Sequence, residues 1–319
     1  NSNFGANALA SSGFRDTAFA QDDFGYITHV IPPKEVPLTE TAVEFESIDV
    51  NNGGLIEIDG DSRVNSDNGG GTTITATNIT IDDGGRFIAD RLGFNSCNGP
   101  SVGTTASRAG GGGHGGIGGR SNDQDAGGSV NDSFINPQYL GSGGGCDPDV
   151  NRRGGAGGGA IILNVSGTLA VDGTLSAHGG IGTGNQAGGG AGGTINITAT
   201  TLTGTWFIEV LGDNGAEQAS GNGSGGRIDL SNVTNLNFNG DISTLGGNNN
   251  GNGERGYAGT IAWPSNHELT VGGTGVINIT MGYDGTNNYT FESITIRNGG
   301  LFRMDGDPLV NGGLGGGAT

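Results

Sequence analysis

The sequence predicts an all-β chain, a parallel β-solenoid of about seven rungs with a long glycine-rich insertion and an extended N-terminal arm. Three observations carry this. Glycine supplies 71 of the 319 residues, and at roughly 1 kcal/mol per residue relative to alanine it excludes helix almost everywhere. Hydrophobic residues are only 32% of the chain, which suits a thin core drawn out along a stack. Alternating apolar text, bounded by Gly and Asn, recurs at a fixed long period.

In chain order, residues 1–44 carry no repeat. Their spaced aromatics Phe4, Phe14, Phe19 and Phe24 predict an arm that docks on a neighbouring subunit; packing on its own chain is the other reading. The solenoid is expected over 45–310, with Ile48 and Ile74 opening its first rungs. An insertion at about 93–158 follows, and within it Cys97 and Cys146 bracket the most glycine-rich text. If the two cysteines pair, the closed loop contributes roughly 4 kcal/mol in the chain-entropy model. Two free thiols are the other reading. The long runs such as 110–119, 154–159 and 188–193 suit extended polyproline-II segments packed against one face of the coil.

Four strand starts then follow at Ile161, Ile195, Ile228 and Ile261, spaced 34, 33 and 33 residues apart. One more period reaches Ile294. After each start a second short strand is expected, as in Thr168–Val171 and Trp206–Val210. Seven such rungs at about 4.8 Å stand some 34 Å tall. A second repeat joins the ends: Phe45–Asp61 and Phe291–Asp307 agree at 11 of 17 positions. Related end surfaces, with Phe45 and Phe291 among them, suit head-to-tail stacking, because a solenoid end is an open sheet edge. Residues 311–319 form a glycine-rich tail.

Composition removes several functions. Thirteen basic against 32 acidic residues give a net charge of −19, so there are few cations to displace phosphate counterions and no nucleic-acid partner is expected. No apolar run is long enough to span a membrane. Asn1 stands where an initiator Met would, which reads as a trimmed chain or as the mature product of secretion. A Cys97–Cys146 pair would place the chain outside the cell or on its surface. Eight Asn-x-Ser/Thr triplets, headed by Asn78, Asn131, Asn164, Asn196, Asn222, Asn232, Asn278 and Asn288, are candidate glycan sites.

The strings Gly110–His114, Tyr139–Cys146, Gly154–Leu163 and Leu169–Gly180 resemble the glycine-rich parallel β-helix modules of secreted and surface proteins, adhesins and extracellular fibre proteins among them. The resemblance covers roughly residues 45–310 and implies a non-catalytic surface role. The many glycan triplets are similar to those of heavily glycosylated extracellular fibrils. The expected function is therefore a structural subunit of a glycosylated extracellular filament, with covalent glycans and copies of itself as partners. A carbohydrate-binding adhesin is the second reading, with Trp206 and Trp263 as its exposed aromatics. A β-helix polysaccharide hydrolase is the third. Its carboxylates would be Asp82 and Asp83 and its histidine His114, but adjacent aspartates on a strand point to opposite faces, and Arg227–Asp229 lacks the final basic residue of that pattern. No cofactor is expected. Asp59 with Asp61, Asp147 with Asp149, and Asp305 with Asp307 could offer oxygens to calcium, or serve as ordinary turn residues.

Overall fold

The computed structural model describes residues 27–30, 42–146, 153–184, 186–216, 219–248, 253–264, 268–271, 278–282, 292–296 and 301–305. All regular structure among them is β, and all strand pairing is parallel. One sheet of eight mostly short strands contains β1 (Ile27–Val30), β3 (Leu55–Ile58), β5 (Arg86–Ile88), β7 (Thr174–Ser176), β9 (Phe207–Glu209), β11 (Asp241–Ser243), β14 (Asn278–Gly282) and β16 (Leu301–Asp305), in that order. The other has six strands: β2 (Ala42–Val50), β4 (Thr72–Ile81), β6 (Ala160–Val171), β8 (Thr194–Gly204), β10 (Arg227–Phe238) and β12 (Thr260–Ala262). A two-stranded sheet, β13 (Glu268–Val271) with β15 (Ser293–Ile296), completes the set.

The chain runs along a long strand, turns tightly into a short one, and returns through glycine-rich text to the next rung. This is a parallel β-solenoid of about six turns, set by the six mostly long strands of the second sheet. The tight turns need left-handed backbone, which Gly53 (φ 78°) and Gly84 (φ 79°) supply without a Cβ penalty.

Alternation along the long strands sends every second side chain between the sheets. The isoleucines at the 33-residue spacing are register partners, Ile161 to Ile195 to Ile228 to Ile261, and all four are fully buried. Burying each such side chain contributes roughly 1.5–3 kcal/mol. In the short-strand sheet one register column reads Ile27, Ile56, Phe87, Leu175, Ile208, Ile242, Ile279 and Phe302, of which Ile56, Phe87, Leu175, Ile208 and Ile242 are buried in the core.

The register departs from the expected one at both ends. Ile161 pairs with Thr72, while Ile74 pairs with Leu163 and Ile48 with Ile79. The insertion absorbs the offset between Ile74 and Ile161, so counting residues across it misplaces that start; Ile48 is misplaced because it stands late in β2, where Val43 is the partner of Ile74. Ile294 pairs with Leu269 in the two-stranded sheet and does not extend the isoleucine column. Thr168–Val171 is the end of β6 rather than a separate strand, reached through an irregularity between Val165 and Thr168. Of the two matching end segments, Leu55–Ile58 and Leu301–Asp305 share the eight-stranded sheet, whereas β2 and β15 lie in different sheets. Phe4, Phe14, Phe19, Phe24 and Phe291, and with them the docking arm, lie outside the described residues, as does the tail. Phe45 is half-buried against the core.

The glycine-rich returns and the insertion between β5 and β6 join neither sheet and bond to one another. Gly221 and Ser224 donate backbone hydrogen bonds to Ala109 and Gly112, Asn222 and Gly225 to Glu254 and Tyr257, and Gly223 and Gly226 to Asp213 and Val210. Gly189 and Gly192 donate to Gly221 and Ser224, while Gly190 and Gly193 donate to Gly180 and Ala177. Residues three apart share a neighbour, and successive residues face different ones. That is the period of a polyproline-II helix, as the glycine runs predict. These glycines are chosen for the missing Cβ rather than for positive φ. A methyl on Gly190 would meet the Ala156 carbonyl, and one on Gly223 the Gly190 carbonyl. Cys97 and Cys146 form a disulfide across this bundle, with Cα atoms 5.5 Å apart.

Candidate functional site

The outer face of the six-stranded sheet is a grid of short polar side chains. Thr75, Asn164, Thr198 and Asn232 form one register column, and Thr73, Ile162, Asn196 and Asp229 form another. The second column sits at the end of the strands where the insertion crosses, so Asn196 and Asp229 are buried although they point away from the core.

The crossing segment, 131–139, is held by a buried polar network. Arg227, 1% exposed, donates from Nε to the Asn131 carbonyl at 3.0 Å and from Nη1 to Thr260 Oγ1 at 2.8 Å. Asp229 accepts from the Asn136 backbone N–H at 2.6 Å. Asn196 Nδ2 donates to Asn136 Oδ1 at 2.8 Å and to the Pro137 carbonyl at 3.2 Å. Asp132 accepts from the N–H groups of both Gln138 and Tyr139 at 2.8 Å.

His114 is the centre of this network, and it is fully buried. Its Nε2 is 3.0 Å from Thr194 Oγ1, and its Nδ1 is 2.6 Å from the Asn131 amide. Thr194 Oγ1 donates to the Tyr139 carbonyl at 2.8 Å, so it accepts from His114 Nε2–H. Nδ1 is then unprotonated and needs a donor. Turning the Asn131 amide over supplies one, because its Nδ2 is otherwise buried without a partner. Burial drives the His114 pKa down to about 4, Asp132 opposes it, and Arg227 pushes the same way as burial.

The segment so anchored forms one wall of a cleft of about 410 Å³. The opposite wall is the loop between β3 and β4, closed by paired backbone bonds between Asp61 and Gly70 at 3.0 Å. This loop holds three consecutive left-handed residues, Asn65, Ser66 and Asp67 (φ 54°, 56° and 63°), and Asn136 on the facing wall is also left-handed (φ 56°). Asn and Asp adopt this conformation readily, and Arg91, Cys97, Gln124, Asp132 and Gln186 are left-handed elsewhere among the described residues, so it shapes these turns without being peculiar to the cleft. The floor is Thr73, Ile162, Asn164, Asn196 and Thr198; Val64, Asn65, Gly70, Gly71, Asn136 and Gln138 complete the lining. No lining residue is ionisable, in a chain with a net charge of −19.

Of the candidate glycan sites, Asn78, Asn164 and Asn232 are exposed and share this outer face. Asn78 also accepts from the Thr168 N–H at 2.9 Å. Three others need correction. Asn131 Nδ2 is buried, Asn196 Nδ2 holds the crossing segment, and Asn222, fully buried, donates from Nδ2 to the Glu254 carbonyl at 2.7 Å. A glycan on any of those nitrogens is incompatible with the packing around it. Asn278 lies on β14, and Asn288 is outside the described residues.

The two tryptophans do not form one platform. Trp206 is 45% exposed beside Phe207, with ring centroids 4.8 Å apart, whereas Trp263 is buried in the core. The hydrolase set is not assembled either. Asp82 and Asp83 are exposed just after the end of β4, while His114 bonds the first residue of β8, at the other end of the long strands. Asp61 pairs with Arg63 at 2.9 Å and Asp59 accepts from Gly60 N–H at 2.9 Å. Among the described residues no group of His, Cys, Asp and Glu could hold a metal ion, and no helix is long and apolar enough to cross a membrane. Asp147, Asp149 and Asp307 are outside the described residues.

A second titratable cluster lies beside the short-strand sheet. His178 Nδ1 accepts from the Leu211 N–H at 3.0 Å, and its Nε2 is 3.8 Å from Glu209 Oε2. Burial, then Asp241 and Asp90, raise Glu209 to about 7, while burial lowers His178.

Sequence spacing does not reveal the cleft, because its lining comes from separate segments between Val64 and Thr198. Comparison with known proteins returns no matching family model, no matching curated protein and no matching solved structure.

Proposed function

We propose that the chain is a non-catalytic structural subunit of an extracellular, glycosylated filament, with copies adding head to tail. The observation that carries this is at the C-terminal end of the stack. Among the described residues, three of six exposed large hydrophobic side chains (Ile294, Ile296 and Leu301) lie in β15 and β16. A parallel stack is polar, so its two ends offer different strand edges, and a contact between unlike ends propagates instead of closing as a dimer. The exposed sequons Asn78, Asn164 and Asn232 lie on the side of the stack, where glycans would not block its ends. The disulfide suits an oxidising compartment.

Electron microscopy of the purified chain at near-physiological salt tests the reading. Filaments are expected, with an axial repeat of roughly 30–34 Å for six or seven rungs. Ile294→Asp and Leu301→Asp should abolish them while leaving the monomer folded. Uniform monomers of the unaltered chain would overturn the proposal. A carbohydrate-binding surface adhesin is the second reading, and the uncharged cleft favours it.

A further inference from the structure

We infer that the cleft on the outer face of the six-stranded sheet binds an uncharged saccharide. Its lining combines the amides of Asn65, Asn136, Gln138, Asn164 and Asn196 with the hydroxyls of Thr73 and Thr198. Asn65, Asn136 and Asn196 spend part of their capacity on holding the walls, whereas the exposed Gln138, Asn164 and Thr198 can each both donate and accept, as sugar hydroxyls do. Val64 and Ile162 add apolar surface for the C–H face of a ring. A phosphate, carboxylate or ammonium ligand would find no counter-charge in this lining. At about 410 Å³ the space suits a small ligand rather than a protein segment.

Both walls are held before any ligand arrives. Asn136 is fixed by Asp229 and Asn196, and the facing loop by the Asp61–Gly70 pair, with Asn65 Nδ2 donating to the Gly69 carbonyl at 2.8 Å. Two sources could supply the sugar: a free oligosaccharide, or a glycan on Asn164, which heads a sequon and lies on the cleft floor. The inference gives the adhesin reading a site and does not depend on polymerisation.

The test uses the full chain made without glycosylation. It is screened against uncharged gluco-, manno- and galacto-configured tri- and tetrasaccharides beside uronic-acid and sialylated ones, with calorimetry on each hit. Uncharged sugars should bind, and Asn164→Ala and Gln138→Ala should each weaken binding about tenfold, with melting unchanged because both side chains are exposed. The same screen on chain from a glycosylating host separates the sources. Lost binding that Asn164→Gln restores identifies the attached glycan as the occupant, and undiminished binding identifies a free one. No uncharged hit for the unglycosylated chain would overturn the inference, as would preference for charged sugars. Binding that survives both alanine variants but falls with Trp206→Ala would also overturn this site while preserving an adhesin role.

Discussion

His114 and Thr194, 80 residues apart in sequence, meet through Nε2 and Oγ1 at 3.0 Å, and this contact fastens the glycine-rich insertion to the solenoid. A single imidazole with both ring nitrogens engaged, buried beside Arg227, makes the insertion sensitive to acid. The folded pKa of about 4 lies below the ordinary 6.5. The folded state therefore binds fewer protons than the unfolded one across that interval. The stability held above pH 6.5 should fall as pH drops towards 4, by up to about 3 kcal/mol. Urea titrations from pH 7.5 to 4 would measure it, and a ring-nitrogen NMR spectrum should show the Nε2–H tautomer. His114→Ala, which leaves Thr194 and Asn131 without this partner, should cost about 3 kcal/mol at pH 7.

Glu209 has the opposite sign. Its folded pKa, about 7, is above the ordinary 4.5, so stability present below pH 4.5 is lost as pH rises through 7. Glu209→Gln removes the burial of a charge and should stabilise the chain at pH 8 by about 2 kcal/mol, with little change at pH 4.5. Equal gains at both pH values would show that the carboxyl does not titrate in this range.

Two glycine-to-alanine variants separate the two uses of glycine. Gly53 has positive φ and nothing near its missing Cβ, so Gly53→Ala should cost only about 1 kcal/mol. Gly190 has ordinary φ, but its Cβ would strike the backbone of Ala156, so Gly190→Ala should cost 4 kcal/mol or more, on the order of the largest single-site losses. Comparable denaturation midpoints for the two variants would contradict a close-packed bundle.

Replacing Cys97 or Cys146 by Ser should open the insertion before the rungs. Limited proteolysis is expected to cut within 93–158, with a stability loss of roughly 3–4 kcal/mol. Unchanged melting and unchanged cleavage would show that the buried network alone holds the segment.

The fold was legible where the spacing is regular. The Ile161, Ile195, Ile228 and Ile261 column follows from the repeat because each coil between them has nearly the same length. The extended packing of the glycine runs follows as well, since those runs can form neither helix nor core. The register of Ile74 was not legible because the insertion shifts the count to Ile161, and that of Ile48 because the apolar alternation of β2 runs on through two candidate starts, Val43 and Ile48, of which Val43 is the partner of Ile74. His114 gave no signal either: in a glycine run it reads as an isolated residue, and its partners Asn131 and Thr194 are assigned only by the fold. The cleft was the least accessible, since Asn65 and Gln138 come together only after two loops have crossed the sheet.

The three-residue period of the glycine bundle makes its alignment nearly degenerate. A glycine segment moved along its own axis by one helical turn meets the same carbonyls in the same directions, so the lattice alone does not fix where it stops. The stops come from the few side chains that interrupt it: His114 against Thr194, Leu140 against Gly60 and Gly69, and the Cys97–Cys146 bond. Lengthening a run by three glycines should preserve every neighbour beyond the change. Lengthening it by one or two turns the remainder through about a third or two thirds of a revolution and aims it at the wrong partners. The bundle thus reads its own length in triplets.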